Sequence, residues 1–466
     1  MHYKAHRISD TRIIRRQVID PKPWPSQRRA WTTLLLFSSV AILSYTDRQV
    51  LTLLVDPIRS DLQITDTQVG LLQGAAFGLV YAFSGVILGR FSDVGSRIGM
   101  IRAGVLVWSL ATVYCGFTHS FSELMLARMV VGIGEATLMP AVISLIPDFF
   151  CAARRGTATG IFLTSPSIGA GAALLVGGAL QAAAIDGTFA RLPLIGHLAP
   201  WRLTILLLGL SGMPFAAALW LAREPTRRDI EPATALDKGA PRSSMAILWS
   251  ARRVILPLLF AMAFAAAGDF SIMSWIPTVL SRSYAWSASR IGEVFGSVII
   301  VASIVGVMAG GILSDLLRRH RGVRSRVTIA FAATIFSVLG AQFALASSGV
   351  QVVALAAFWL VTSSAATAAG ITTLQEITSP GSRAFAGSLV ALCNIAFGFT
   401  LGNAGPGFAA DHIFRDAHAM GASITLIALP AAVLATLLYW LVLTELKHSA
   451  SQQPRRVGAA DHSALQ

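Results

Sequence analysis

The stretch Gly89-Arg90-Phe91-Ser92-Asp93 closes one long apolar run, and Gly311-Ile312-Leu313-Ser314-Asp315 closes another, 222 residues further on. Sliding the chain by that interval also sets Gly70 on Gly292, Gly74 on Gly296 and Asp47 on Asp269. Six ungapped identities at one offset read as an internal repeat. Both copies close a run that crosses in the same sense, so the repeat is parallel. The chain therefore reads as two halves built alike.

Composition says what solvent surrounds those halves. Of 466 residues, 54% are hydrophobic and 13% charged, and the mean hydropathy is +0.65. A soluble domain carries about 25% charged residues, so this chain is expected to have lipid as its solvent. The net charge of +14 does not signal nucleic acid. Its Lys and Arg sit in short segments between apolar runs, not on one face of a soluble domain. Cys115, Cys151 and Cys393 show no metal-ligand or disulfide spacing and read as small hydrophobes. No apolar segment precedes Trp31, which excludes a cleavable signal.

A membrane helix needs about 20 mostly apolar residues. Twelve such runs lie near 31–55, 67–91, 97–119, 121–147, 153–181, 200–223, 249–280, 287–317, 325–347, 350–378, 382–410 and 417–445. With the N-terminal tail inside, 29 Lys and Arg fall on the inner side and 6 on the outer, while Arg48 and Arg128 lie within spans. That bias predicts both termini in the cytoplasm. The expected organisation is an all-α integral membrane protein of twelve transmembrane helices in two parallel six-helix halves. A basic tail (1–30) precedes the first bundle (31–223), and a Pro- and charge-rich linker (224–248) leads to the second (249–446) and a last tail (447–466).

The repeated stretch has a physical role to play. Gly89 and Asp93 are four apart and share a helix face, where a glycine admits a neighbouring helix. A carboxylate at a helix C-terminus opposes the dipole and needs donors. Arg90 and Arg97 stand near the first copy, Arg318 and Arg319 near the second. Gly89, Asp93, Arg97, Gly311, Asp315 and Arg318 are the expected gating residues, a charge cluster that holds the halves and breaks when they rock.

Ionisable residues deep in spans are costly and functional by default. The first span carries Asp47 and Arg48 in "SYTDRQ", the fourth Arg128 and Glu135 in "ARMVVGIGEATLMP". At about 1.5 Å per residue, Asp47 and Arg128 share a level and Glu135 lies about two turns deeper. One polar cluster facing a central cavity is expected. Burial favours protonation of a carboxylate and an adjacent arginine opposes it, so Glu135, then Asp47, are the expected proton carriers. Tyr45, Asp269, Trp275 and Asn394 are further candidates for the cavity wall, with Phe264, Phe270, Met273, Phe358, Trp359 and Phe397 as apolar surroundings.

The twelve spans and the copies GRFSDVGSR and GILSDLLRR resemble the major facilitator superfamily, whose second loop reads roughly G-x-L-A-D-R-x-G-R-R. Val94 and Ser96 depart from that pattern. Within the superfamily, "YTDRQVLTLL" (45–54), "TQVGLLQGAAFGLVYA" (67–82), "VWSLATVYCGF" (107–117), "LARMVVGIGEATLMPAVISLIPDFF" (126–150) and "RRGTATGIF" (154–162) resemble the spinster branch. That resemblance implies proton-linked or facilitative transport of lysolipids or sphingoid phosphates. It puts Asp47, Arg48, Arg128 and Glu135 at the coupling and head-group site. The organic anion:proton symporters, with a similar Asp-Arg in the first span, are the rival.

No Arg or Lys lies in the middle of the last six spans, whereas a small dicarboxylate would want cationic clamps from both halves. One polar head on an apolar body fits better. No nucleotide- or metal-binding pattern is present: "GAGAALLVGG" lies within a span and lacks the G-K-[ST] ending of a phosphate loop. No cofactor is expected, and the expected partners are an amphipathic or anionic small molecule, protons and the lipid bilayer. A monomer in a bacterial inner membrane is expected. A membrane enzyme lacks any catalytic constellation, and the parallel repeat argues against a receptor without transport.

Overall fold

The computed structural model describes residues 24–227, 251–321, 323–378 and 383–451. Most of the 224–248 linker and most of both tails lie outside the described residues. The described chain is helical, and eleven of its helices are long and apolar enough to cross a membrane. The twelfth, α1 (Gln27–Gln49), starts four residues before Trp31. Its apolarity is diluted by its serines and threonines and by the Asp47–Arg48 pair.

The first half continues with α2 (Asp66–Gln73 and Ala75–Val94) and α3 (Arg97–Cys115). Then come α4 (Phe121–Glu135 and Leu138–Phe149), α5 (Ala152–Ile185) and α6 (Pro200–Leu219). The second half has α7 (Arg252–Tyr284) and α8, which runs from Ala288 to Arg321 through a π-helical turn at Gly292–Gly296. It ends with α9 (Val323–Gly340), α10 (Gly349–Ile377), α11 (Arg383–Phe414) and α12 (Met420–Ser451).

Local sequence explains the ends and the breaks. Ser26, Ser96, Ser120 and Ser348 each accept a backbone N–H three residues on, capping α1, α3, α4 and α10. Thr65 and Gln68 form a capping box at the start of α2. The first span is shorter than its apolar run: after Gln49 the chain tightens into a 3₁₀ turn (Val50–Leu53), then a short helix, Val55–Leu62. α4 slackens after Glu135, where Thr137 N bonds to Gly134 O. Pro140 has no N–H to offer the Ala136 carbonyl. α11 holds two π-helical turns, Asn394–Phe399 and Ala409–Phe414, a form common where function interrupts a helix.

Twelve alternating crossings leave residues 24 and 451 at the same end, here the tail end; the opposite end is the far end. The core is not one body from end to end. At the far end one cluster takes Leu51, Leu54 and Trp201 from the first half and Trp275, Phe295 and Trp359 from the second. Towards the tails it divides. Phe37, Ile101, Trp108 and Phe150 pack within the first half, and Leu258, Ala330, Leu374 and Tyr439 within the second. The halves are thus sealed at the far end and parted at the tail end.

Glycines report the same division. A methyl on Gly70 would lie 2.6 Å from the Asn403 carbonyl oxygen of α11, and one on Gly292 would lie 2.2 Å from that of Leu174 in α5. The repeated glycines thus make equivalent crossings between halves, α2 on α11 and α8 on α5. The sequence had placed a close helix approach at Gly89. In this conformation a methyl on Gly89 or on Gly311 would meet nothing within 4 Å.

Candidate substrate and coupling site

Asp47 and Arg48 lie in the last turn of α1, and consecutive helical residues point about 100° apart. They therefore serve different neighbours. Asp47 is buried and accepts a hydrogen bond from Thr112 Oγ1 of α3 at 2.5 Å. Arg48 Nη2 donates to Glu135 Oε2 of α4 at 2.8 Å. Glu135 is 1% exposed and sits where α4 slackens. The Arg48 guanidinium lies over three rings, 4.6 Å from the Tyr45 centroid, 4.3 Å from Phe77 and 4.9 Å from Tyr81. Arg128 shares the Phe77 ring at 5.2 Å. Aromatic faces attract such cations, more strongly when water is excluded.

The four charges expected to cluster do so: Asp47 lies within electrostatic reach of Arg128, Glu135 and Arg48. They do not all face a cavity. Asp47, Arg128 and Glu135 are buried, and only Arg48 is partly open. Several polar atoms are left without a hydrogen-bond partner among the described residues. They are Arg48 Nε, Arg128 Nε and Nη2, Glu135 Oε1, and both amide atoms of Gln73. Such atoms normally find partners, and leaving a charged one unmade is expensive. The site holds unused donors and an unused acceptor in a nearly dry surround.

The aromatic cage was only partly foreseen. Tyr45 was expected; Phe77 and Tyr81, four apart on one face of α2, were the available signal. Phe399 of α11 lies in a stretch that reads as a small-residue face, yet it packs on Phe77 across the halves at 6.1 Å and on Phe270 at 4.7 Å. Trp275 does not line a cavity. It is fully buried, and its indole N–H donates to the Asn403 carbonyl at 2.8 Å, because the far end is where the halves are sealed. Trp359 is buried as well and donates to Asp269 Oδ1 at 2.8 Å. Asn394 opens the first π-helical turn of α11, with its Oδ1 unpartnered among the described residues.

Of the gating motif, the side chains of Asp93, Asp315 and Arg318 lie outside the described residues. Arg97 is described and buried. It binds Asp148 of α4 at 2.6 Å, Glu224 beyond α6 at 3.0 Å, and the Ser144 carbonyl at 3.0 Å. In the second half Arg326 binds Glu376 at 3.1 Å and the Thr372 carbonyl at 3.2 Å. Arg326 lies 229 residues after Arg97, and Glu376 lies 228 after Asp148. The repeat therefore persists in three dimensions at an offset that the ungapped 222-residue register misses. The Glu224 carboxyl is pushed up by partial burial. Hydrogen bonds from Ser96 Oγ, from the Arg97 backbone and from the Arg97 side chain outweigh that and hold it below the ordinary glutamate value.

Sequence reading missed a clasp at the far end. Arg282, in the last turn of α7, donates to Asp56 at 2.6 Å and to both oxygens of the buried Asp66, at 2.7 and 2.8 Å. Asp411 of α11 accepts from Thr67 N at 2.6 Å and Thr67 Oγ1 at 2.7 Å. It thereby places a carboxylate at the N-terminus of α2, where the dipole favours one. Both contacts join one half to the other. Loop acids at 56, 61 and 66 were the visible signal, but their partner stands more than 200 residues away.

Known proteins agree with this architecture. A solved bacterial homologue of the human lysosomal transporter spinster, inward-facing and unoccupied, superposes with a TM-score of 0.77 at 25% identity, covering 91% of this chain and 99% of that one. An MFS-type efflux pump of Mycolicibacterium smegmatis is 26% identical over 92% of this chain and 96% of its own length. A hexuronate transporter of Bacillus subtilis is 25% identical over 70% of this chain and 76% of its own length. Residues 37–394 match the family described as the Major Facilitator Superfamily. The chain belongs to the Major Facilitator Superfamily: it is a multi-pass integral membrane transporter, spinster-like in structure, and not an enzyme.

Proposed function

We propose that the protein is a proton-coupled secondary transporter that moves an amphipathic organic solute, such as a lysolipid or sphingoid phosphate, by alternating access. The Arg48–Glu135 pair carries this reading: a buried ion pair inside an aromatic cage, with an unused donor on one partner and an unused acceptor on the other. A proton on Glu135 removes the charge that holds Arg48. The freed guanidinium, with Arg128 beside the same ring, takes an anionic head group. Loss of the proton restores the pair and expels the head. Asp47 acts on Arg128 and sets how strongly that arginine competes. The absence of Arg and Lys from the middle of the last six helices supports a solute with one charged head. So does the apolar surface of Phe358 and Phe397, both exposed.

The 29-to-6 distribution of basic residues supports a cytoplasmic tail end in a bacterial inner membrane. On that orientation the conformation described here is open to the cytoplasm. The protein works as a monomer, since each half supplies the other's crossing contacts.

The test is uptake of a lysophospholipid into proteoliposomes under an imposed pH gradient. Glu135→Gln should abolish the response to the gradient, and full proton coupling in that variant would overturn the assignment. The likeness to a hexuronate transporter favours one competitor, a small carboxylate. Gradient-driven uptake of galacturonate that lysophospholipid does not inhibit would replace the amphiphile.

A further inference from the structure

We propose that a groove between α1 and α6 at the tail end binds the phosphate and first acyl segment of an anionic phospholipid. Arg29, Thr32, Thr33 and Leu36 line one wall, and the Ala218–Arg223 segment lines the other, around a cavity of about 530 Å³. The α1 residues recur at intervals of three and four, so they form one stripe of the helix. Arg29 and Leu36 are seven residues apart, roughly 10 Å along the axis. The groove therefore runs from a cationic rim to an apolar floor. A phospholipid presents that same sequence of chemistry, head group first.

The electrostatics have been cleared for an anion. A helix C-terminus such as that of α6 would normally repel one. Here its carbonyls are already occupied. Arg102 donates to those of Leu219 and Ala222, at 2.9 and 2.7 Å, and Arg29 to that of Arg223 at 2.8 Å. Glu224, the nearest carboxylate in sequence, is turned to Ser96 and Arg97. Arg29 is held in place by its one bond, with further N–H groups to offer, and the Arg223 side chain is exposed. Arg102 stacks on Trp220 at 5.0 Å, and Trp220 is 68% exposed. A large exposed indole at a helix end is the usual anchor at a membrane interface. Basic pockets between membrane helices at head-group level select anionic lipids. None of these residues belongs to the transport site, so this inference stands apart from the proposed substrate.

Native mass spectrometry of the full chain in detergent, titrated with dioleoyl phosphatidylglycerol or dioleoyl phosphatidylcholine, tests it. Phosphatidylglycerol adducts should exceed phosphatidylcholine adducts. The double variant Arg29→Gln, Arg223→Gln should bind phosphatidylglycerol about tenfold or more weakly, as two lost cations imply. Arg191→Gln, in a far-end loop, should bind as the parent does. Leu36→Trp keeps every charge and fills the floor, and it should lose the adducts while eluting as the parent does. Equal uptake of the two lipids, or undiminished adducts in either groove variant, would overturn the site.

Discussion

The far-end and tail-end portions of the same four helices, α2, α5, α8 and α11, behave in opposite ways. At the far end their backbones nearly touch, with the Gly70 and Gly74 positions against Asn403 and the Gly292 and Gly296 positions against Leu174 and Gly171. Towards the tails the glycines at 85, 89, 156, 160, 311 and 387 would each accept a methyl without meeting another atom within 4 Å. The composition of the two ends is similar. The difference is therefore one of conformation, and it shows which contacts must be exchanged when the carrier changes sides. Small residues stand ready at both ends, but only one end can be closed at a time.

Breaking the far-end clasp should have the largest effect. Arg282→Ala leaves Asp66 buried without its main partner, and losing one member of a buried pair costs about 3–5 kcal/mol. The far end should open, and hydrogen exchange of residues 66–74 and 400–411 should rise by a hundredfold or more. Unchanged exchange there would mean that apolar packing alone seals that end. Next in size is the contrast between equivalent repeat positions. Gly292→Ala forces a methyl onto a backbone oxygen and should destabilise this conformation by about 1–3 kcal/mol. Gly311→Ala should leave the melting temperature unchanged and slow transport, because its neighbour arrives only when the tail end closes. Equal melting shifts in the two variants would erase the distinction.

The smallest effect concerns acid. Glu224 is held below its ordinary value, so its contribution is complete above the unfolded value of about 4.3. It is lost as pH falls through the lower folded value. Protection of amides 96–100 should weaken on acidification below about pH 4. Glu224→Gln should flatten that dependence without touching the far end. A parent whose protection is constant down to pH 3 would remove Glu224 from the tail-end network.

Much of the site could be read from the chain because intramembrane charge is rare. Asp47, Arg48, Arg128 and Glu135 stand out against apolar runs, and the structure brings all four together. Their division of labour could not be read. Whether a residue faces α3 or α4 depends on a rotation of 100° that no spacing within α1 specifies. Trp275 was misplaced for a related reason: an aromatic in an apolar helix looks the same whether it lines a cavity or seals one. The clasp escaped notice because Arg282 sits in an ordinary outer loop position until the fold carries it to Asp56 and Asp66.

Hydropathy and charge distribution alone were enough for the span count, the two-half plan and the sites where ionisable groups had to find partners. Those follow from the cost of exposing polar groups to lipid, which acts on every residue whatever its neighbours. Which copy of a repeated glycine is in contact, which carboxylate answers Arg97, and which end of the carrier is shut emerged only when the helices were packed. Those are choices between nearly equal alternatives that the same residues permit. A transporter needs both, so its chain leaves them open and the packing of the two halves selects one at a time.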